Sequence, residues 1–250
     1  MPITDNLVSF WELEEASGTR NDAHSTNHLT SNNAVGMATG KVGNAASLVR
    51  ASSQTLSRAT NASLETGDVS WTLCAWAKLD AAAVAGSHAI FGKYDGGAFD
   101  GEFQIYLDTD FGATAAYAIL YSAAGQRFAT TGNGAFSLNT WAFVVAWHDA
   151  TADTINVQIN NGTIYSTATL GRSSSILSGA FVVGGFTTAN NLFHGLIDQA
   201  GYWKRALTVD ERTTLYNSGS GVAYAALAGG GGAGTLAPAF PARPYRIWRK

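Results

Sequence analysis

Thiol chemistry is nearly absent from this chain. Cys74 is its single cysteine, which excludes an intrachain disulfide framework. It alternates with Leu73 and Ala75 in a strand-like run and reads as a small buried side chain. No apolar stretch approaches the ~18 residues that a membrane-crossing helix needs, so membrane insertion is not expected. Met1–Asp5 shows neither the basic nor the apolar region of a signal peptide. On that reading the chain is made in a cytoplasm and leaves by lysis, by a dedicated secretion system or within a virus particle. Charge is scarce, at 13% of residues with a net of −3, and offers no electrostatic footprint for nucleic acid. Catalytic signatures are missing too: there is no Gly-x-Ser-x-Gly elbow, no His-Glu-x-x-His helix and no phosphate loop. The five histidines are scattered; His24 and His28 come nearest to metal spacing, but they share a loop rather than a helix face.

What is present points to strands. Hydrophobic residues make up 46% of the chain, enough for a sizeable core, and 28 glycines suit many short strands joined by tight turns. Alternation with period two dominates. Trp71, Leu73, Ala75, Ala77 and Leu79 oppose Thr72, Cys74, Trp76 and Lys78; Phe103, Ile105 and Leu107 oppose Glu102, Gln104, Tyr106 and Asp108. Ile155, Val157 and Ile159 oppose Thr154, Asn156, Gln158 and Asn160. Such strands bury one face, as in antiparallel sheets. The segment 141–149 is apolar on both sides and belongs in the middle of a sheet. Asn160-Asn161-Gly162 supplies a hairpin turn, with Asn-Gly as its signal, making a three-stranded meander from 141 onward. Trp71, Trp141 and Trp147 read as core. One short helix is expected after Thr208, whose spacing to Glu211 is that of a capping box, ending near Ser218-Gly219.

Composition changes sharply near residue 228. The body, 1–228, holds 11 basic and 18 acidic side chains, a net of −7, whereas the rest holds four basic residues and no acid. A glycine-rich linker at 229–235 leads into a proline-containing basic tail at 236–250. That tail is a disordered end or a docking arm. Its Phe240, Arg243, Tyr245, Arg246, Ile247, Trp248, Arg249 and Lys250 favour an arm that seats on another protein subunit.

Several segments, in order, resemble the laminin-G-like family of concanavalin-A-like sandwiches. They are Val8–Thr19, Asn21–His28, Gly40-Lys41-Val42-Gly43-Asn44-Ala45-Ala46, Ser70–Trp76, Asn139-Thr140-Trp141, Asn160-Asn161-Gly162, Phe193–Asp198 and Trp203–Glu211. The resemblance spans roughly 7–217 and implies an all-β, two-sheet antiparallel jelly roll with one short C-terminal helix and an extended arm. Members bind glycans, proteins or lipids, so fold alone does not settle function. The family also implies a structural Ca2+ held by Asp22, Asn27 and Asp198, although Gln199 stands where the family usually has an acid. The alternative is that both aspartates accept backbone N–H groups in turns. A glycan loop is expected at Tyr94, Asp95, Phe99, Asp100, Asp110 and Phe111, aromatic faces beside carboxylates, against the alternative of an ordinary surface loop. The related glucanases carry acids on alternate strand residues in a Glu-x-Asp-x-x-Glu pattern, which is missing here; Asp108-Thr109-Asp110 is the nearest approach and reads as a strand-end turn. The expected function is therefore non-catalytic: a binding or structural module of a larger assembly, most simply a bacteriophage decoration or fibre protein anchored by its arm. A free-standing glycan lectin is the second reading and a cryptic glycoside hydrolase the third.

Overall fold

The computed structural model describes residues 1–83, 85–95, 101–112, 114–174 and 176–229. Its strands are β1 (Leu7–Trp11), β2 (Thr30–Asn32), β3 (Gly36–Thr39), β4 (Asn44–Leu48), β5 (Thr55–Arg58), β6 (Trp71–Leu79), β7 (Ser87–Tyr94) and β8 (Gly101–Asp108). They continue as β9 (Ala115–Ser122), β10 (Gly125–Thr130), β11 (Ala142–Asp149), β12 (Thr154–Ile159), β13 (Ile164–Ala168), β14 (Phe181–Val183) and β15 (Gly195–Trp203). Two short helices close the order, α1 (Val209–Tyr216) and α2 (Tyr224–Gly229). The strands form two antiparallel sheets. One runs β13-β12-β11-β6-β15-β4-β3 with β1 also on β15; the other runs β10-β9-β8-β7-β14-β5-β2. The expected jelly-roll sandwich is what the chain forms.

Alternation explains the layers. Trp71, Leu73, Ala75, Ala77 and Leu79 of β6 join Phe103, Ile105 and Leu107 of β8 in the core between the sheets. The opposite side of β6 is not solvent. Cys74 and Trp76 pack with Phe143, Val145, Trp147 and Trp203 under Leu207, Leu215 and Leu227 from the C-terminal segment. This second layer is why 141–149 is apolar on both faces. β11 lies between β6 and β12, and the β11–β12–β13 meander forms as expected.

The α1 cap is the expected reciprocal one: Thr208 Oγ1 accepts the Glu211 N–H and Glu211 Oε2 accepts the Thr208 N–H. Glu211 also receives two Arg205 guanidinium bonds of 2.7 Å, while Arg205 Nε donates to Asp5 O, fixing the N-terminal segment to the helix.

Three details differ from the sequence expectation. The hairpin after β12 turns on Asn160 and Asn161, both with positive φ, and Gly162 N–H closes it onto Ile159 O. The turn thus falls on the expected Asn160-Asn161-Gly162, but the positive φ angles sit on the two asparagines rather than on Asn-Gly, because asparagine also tolerates the left-handed region. A second helix, α2, runs into the first glycine of the expected linker, since Leu227 finds a place in the outer layer; residues 230–250 lie outside the described residues.

The third difference is Glu102, which strand parity places outward. The β7–β8 ladder pairs Lys93 with Phe103 and Tyr94 with Gly101, so a bulge leaves Glu102 without a ladder partner. It turns inward to an ion pair with Lys93, both side chains fully buried. Glu102 also accepts Thr66 N–H and Oγ1–H at 2.8 and 2.7 Å and Leu177 N–H at 3.0 Å, while Lys93 donates to Leu177 O at 2.7 Å. The pair therefore fixes two crossing loops to the sheet. Removing one partner of a buried pair typically costs about 3–5 kcal/mol, so Lys93→Met should lower the urea-unfolding free energy by about that much. Lys93→Met combined with Glu102→Leu should recover less than half of the loss, because Thr66 and Leu177 keep donors without an acceptor. Full recovery would mean that the loop bonds contribute nothing.

Candidate functional site

With the outer side of β6 covered, the outer face of the seven-stranded sheet is the broad surface that remains. Ladder pairs assign its residues. Gln104 faces Ile119 and Tyr106 faces Tyr117 across β8 and β9, while Ile119 faces Phe128 and Tyr121 faces Gln126 across β9 and β10. Their chain neighbours Ala116, Ala118, Leu120 and Ala129 belong to the core, so period two sends the tyrosines outward. The Tyr106 and Tyr117 rings are parallel within 1° at 4.7 Å, and Phe128, 46% exposed, lies 6.2 Å beyond Tyr117. On the other side Phe186, from the loop after β14, stacks 5.6 Å from Tyr121 and 4.4 Å from Tyr94. Two glycines permit this layer. A Cβ on Gly92 would meet Phe186 O at 2.3 Å, and one on Gly101 would meet the Tyr121 ring at 2.7 Å.

Polar groups are interleaved. Tyr121 Oη donates to Gln104 Oε1 at 3.2 Å, and Gln104 Nε2 has no partner among the described residues. Burial raises the Tyr106 hydroxyl above the usual phenol range, reinforced by Tyr117, Asp108, Tyr121 and Asp110; Tyr121 is raised by burial and by Tyr94. Both hydroxyls therefore remain protonated donors at neutral pH. Tyr106, Tyr117, Tyr121, Phe128 and Phe186 were not among the residues expected to bind. The signal was in 115–122, where tyrosines share a parity opposite alanines.

The residues expected to form one glycan loop are divided. Tyr94 and Asp95 lie at the end of β7 next to Phe186. With Ser178, Gly179, Ala180, Val182, Thr187 and Thr188 they line a cleft of about 370 Å³, and Asp95 Oδ2 accepts the Ser178 hydroxyl at 2.5 Å. Asp110 follows the far end of β8. Tyr94 pairs with Gly101 but Ser87 pairs with Asp108, a separation of roughly 23 Å at 3.3 Å per residue. Asp108 accepts the Asp110 N–H at 2.9 Å and the Ser87 hydroxyl at 3.1 Å, the bonding of a strand-end turn. Of Phe111 only the backbone, in the short turn Asp110–Gly112, is described. Phe99 and Asp100 lie outside the described residues.

The expected calcium ligands fall into two separate hydrogen-bond networks. Asp22 Oδ1 accepts N–H groups of Phe10, His24 and Ser25, and Oδ2 accepts the Ser25 hydroxyl and the Asn27 N–H, all at 2.8–3.1 Å. Burial works against its charge, but the bonds from Phe10, Ser25 and His24 prevail and hold its pKa below the ordinary value. Asn27 bonds Ser9, Asn61 and Ser63. His28 accepts the Asp22 N–H, while His24 contacts the Tyr224 hydroxyl, so these histidines serve different partners.

Asp198 lies where β15 exchanges its neighbour β4 for β1, at a bulge. Its Oδ2 accepts Lys41 and Val42 N–H groups at 2.7 and 2.9 Å, and Glu14 accepts the Asn44 N–H at 2.8 Å. Together they hold the turn before β4. Asp198 Oδ1 is buried without a partner. A calcium ion needs six to eight oxygens. Asp22 is surrounded by donors, and among the described residues no three His, Cys, Asp or Glu side chains gather as a metal would require; the set does not fit the ion.

Burial raises Asp198 to about 7 against the bonds from Val42, Lys41 and Gln199, with Glu14 adding to the rise. A carboxyl raised above its unfolded value of about 3.8 stabilises the fold fully below that value and loses the contribution as pH climbs to the folded value. The Asp198 contribution is therefore expected to fall between pH 4 and pH 7 by a few kcal/mol. Asp198→Asn should flatten that part of the profile in thermal melts. An unchanged slope would place the titration elsewhere.

Comparison with known proteins agrees with this architecture. Residues 51–211 match the laminin G family model described as the concanavalin A-like lectin/glucanases superfamily. A search of curated proteins gave no match. Among solved structures, the binding domain of Paraclostridial Mosquitocidal Protein 1 superposes with a TM-score of 0.68 at 17% identity, over 86% of this chain and 53% of that one. The receptor binding domain of botulinum neurotoxin D gives 0.64 at 12%, over 87% and 54%. The chain thus spans about half the length of these toxin domains. Domain 4 of AbnA, a GH43 extracellular arabinanase from Geobacillus stearothermophilus solved with arabinotriose, gives 0.61 at 16%, over 84% and 97%. Identities this low establish shared fold, and the family model covers more than half of the sequence: the chain belongs to the concanavalin A-like lectin/glucanase superfamily.

Proposed function

We propose that this chain is a non-catalytic carbohydrate-binding module whose ligand lies along the outer face of the seven-stranded sheet. The observation that carries the reading is the aromatic row Tyr106–Tyr117–Phe128, open at Phe128 and backed by the buried cluster of Tyr121, Phe186 and Gln104. Sugars have apolar C–H faces and hydroxyl rims, and such a surface answers both, rings to the faces and phenol hydroxyls to the rims. The likeness to an arabinanase domain solved with arabinotriose, nearly complete over that domain, supports the same reading. Hydrolysis would require two carboxyls set across a scissile bond. Asp108 and Asp110 belong instead to the β8-end turn, and Asp95, at the other end of the sheet, holds the Ser178 hydroxyl.

A glycan array tests the face. Wild-type protein should retain at least one oligosaccharide class, and Tyr117→Ala or Phe128→Ala should weaken it by roughly tenfold, the loss of one aromatic contact. A blank array, or binding indifferent to both substitutions, would remove this face from consideration.

The second part of the proposal concerns the carrier. The basic, aromatic tail with Phe240, Tyr245, Ile247, Trp248 and its four cations supports anchoring to other subunits, in a virus particle such as a phage decoration or fibre, with the sandwich displayed. Light scattering at matched concentration should show the full chain assembling or retaining a partner while a version ending at Gly229 stays monomeric. Two monomers of equal behaviour would count against self-assembly through the tail.

A further inference from the structure

Away from the aromatic face, the outer side of the eight-stranded sheet has an opening where β6 ends and β15 begins. Ser47, Leu196 and Lys78 stand side by side there across β4, β15 and β6. Two adjoining cavities of about 270 and 300 Å³ share His194 as a common wall, together within the size range of small-molecule sites. The first is lined by Ser47, Lys78, Asp80 and Asn139 with Leu48, Val49 and Leu196, and the second by Arg50, Ala51 and Ala82.

The polar atoms in this opening are mostly uncommitted donors. Lys78 enters no ion pair among the described residues. Arg50 Nη1 is shielded from solvent and makes no hydrogen bond. His194 Nδ1 accepts the Arg50 backbone N–H at 3.2 Å, so the neutral ring carries its proton on Nε2. Asn139 Oδ1 is taken by the Ala81 N–H at 3.0 Å, leaving its NH2 group to donate. The one acid, Asp80, has Oδ1 bound to the Ala82 N–H at 2.7 Å. Two fixed cations against one partly engaged carboxylate leave the opening positive on a body whose net charge is negative.

We propose that these two cavities form a second binding site, for a carboxylate-bearing sugar such as a hexuronate. Lys78 takes the carboxylate as a charge-assisted hydrogen bond, and Arg50, beyond His194 in the second cavity, adds positive charge to the opening. His194, Asn139, Ser47 and the remaining oxygen of Asp80 serve ring hydroxyls, and Leu48, Val49 and Leu196 lie against C–H groups. This site stands independently of the aromatic face: either could fail without the other.

Titration of the full chain with D-glucuronate, D-glucose and sodium acetate, followed by amide resonances, tests it. Glucuronate should move the amides of Lys78, Asn139 and His194 with millimolar affinity, leave those of Tyr106, Tyr117 and Phe128 in place, and bind roughly tenfold more weakly to Lys78→Gln. His194→Gln, which keeps a donor at the ring position, should weaken it less. The proposal is overturned if glucuronate moves nothing in this opening, if glucose binds as well, if acetate matches glucuronate and so reveals a simple anion site only, or if Lys78→Gln binds as wild type does. Shifts confined to the aromatic face would overturn this site while supporting the other.

Discussion

The central strand β6 is buried on both faces, and the rest of the molecule is arranged to keep it so. One parity, Trp71 to Leu79, makes the interior of the sandwich. The other, Cys74 and Trp76, would expose a large apolar surface if the second sheet were its only cover. The N-terminal segment, α1 and α2 therefore lie over it, with Tyr216 stacked 5.7 Å from the Trp76 ring and Lys41 4.6 Å above it. Arg205 ties the capped helix to Asp5 and so holds two parts of that cover together. The functional consequence is one of exclusion. Much of one sheet's outer face is occupied by the protein itself, and ligand chemistry is left to the other sheet and to the ends of strands.

Carboxylates in this chain act largely as internal fasteners. Asp22 gathers a polar loop under β1, Asp198 and Glu14 hold the turn where β15 changes neighbours, Glu102 fixes two loops through a buried pair, and Glu211 closes the helix cap. Each accepts backbone N–H groups outside the regular ladders, and several of these are buried, where an unmade bond is costly. A low content of charged residues thus coincides with acids placed where the chain leaves regular ladders. It also explains why acids that resemble metal ligands or catalytic groups by sequence context do other work in the fold.

How far the sequence alone reaches follows from which interactions are local. Strand alternation, Glu102 apart, the Thr208–Glu211 cap and the central place of 141–149 depend on neighbours a few residues apart, and all are found as read. So is the burial of Cys74 and the Trp71 and Trp147 side chains, whereas Trp141, also read as core, is only partly buried. Family membership was legible as well, because its motifs are short and ordered along the chain. The Asn160-Asn161-Gly162 turn lies where it was read, with positive φ on the two asparagines rather than on Asn-Gly, since both residue types accept it.

What only the tertiary structure decided is set by register between distant segments. The bulge that turns Glu102 inward arises from how β8 meets β7. The separation of Asp95 from Asp110 follows from antiparallel pairing, which sends the two ends of one sequence stretch to opposite ends of the sheet. The aromatic row and the cluster behind it join residues from β7, β8, β9, β10 and the loop holding Phe186, and the positive opening at His194 joins β4, β6 and β15. Periodicity tells which side chains share a face of one strand; it carries no information on which strands lie side by side, and binding surfaces are built from that adjacency.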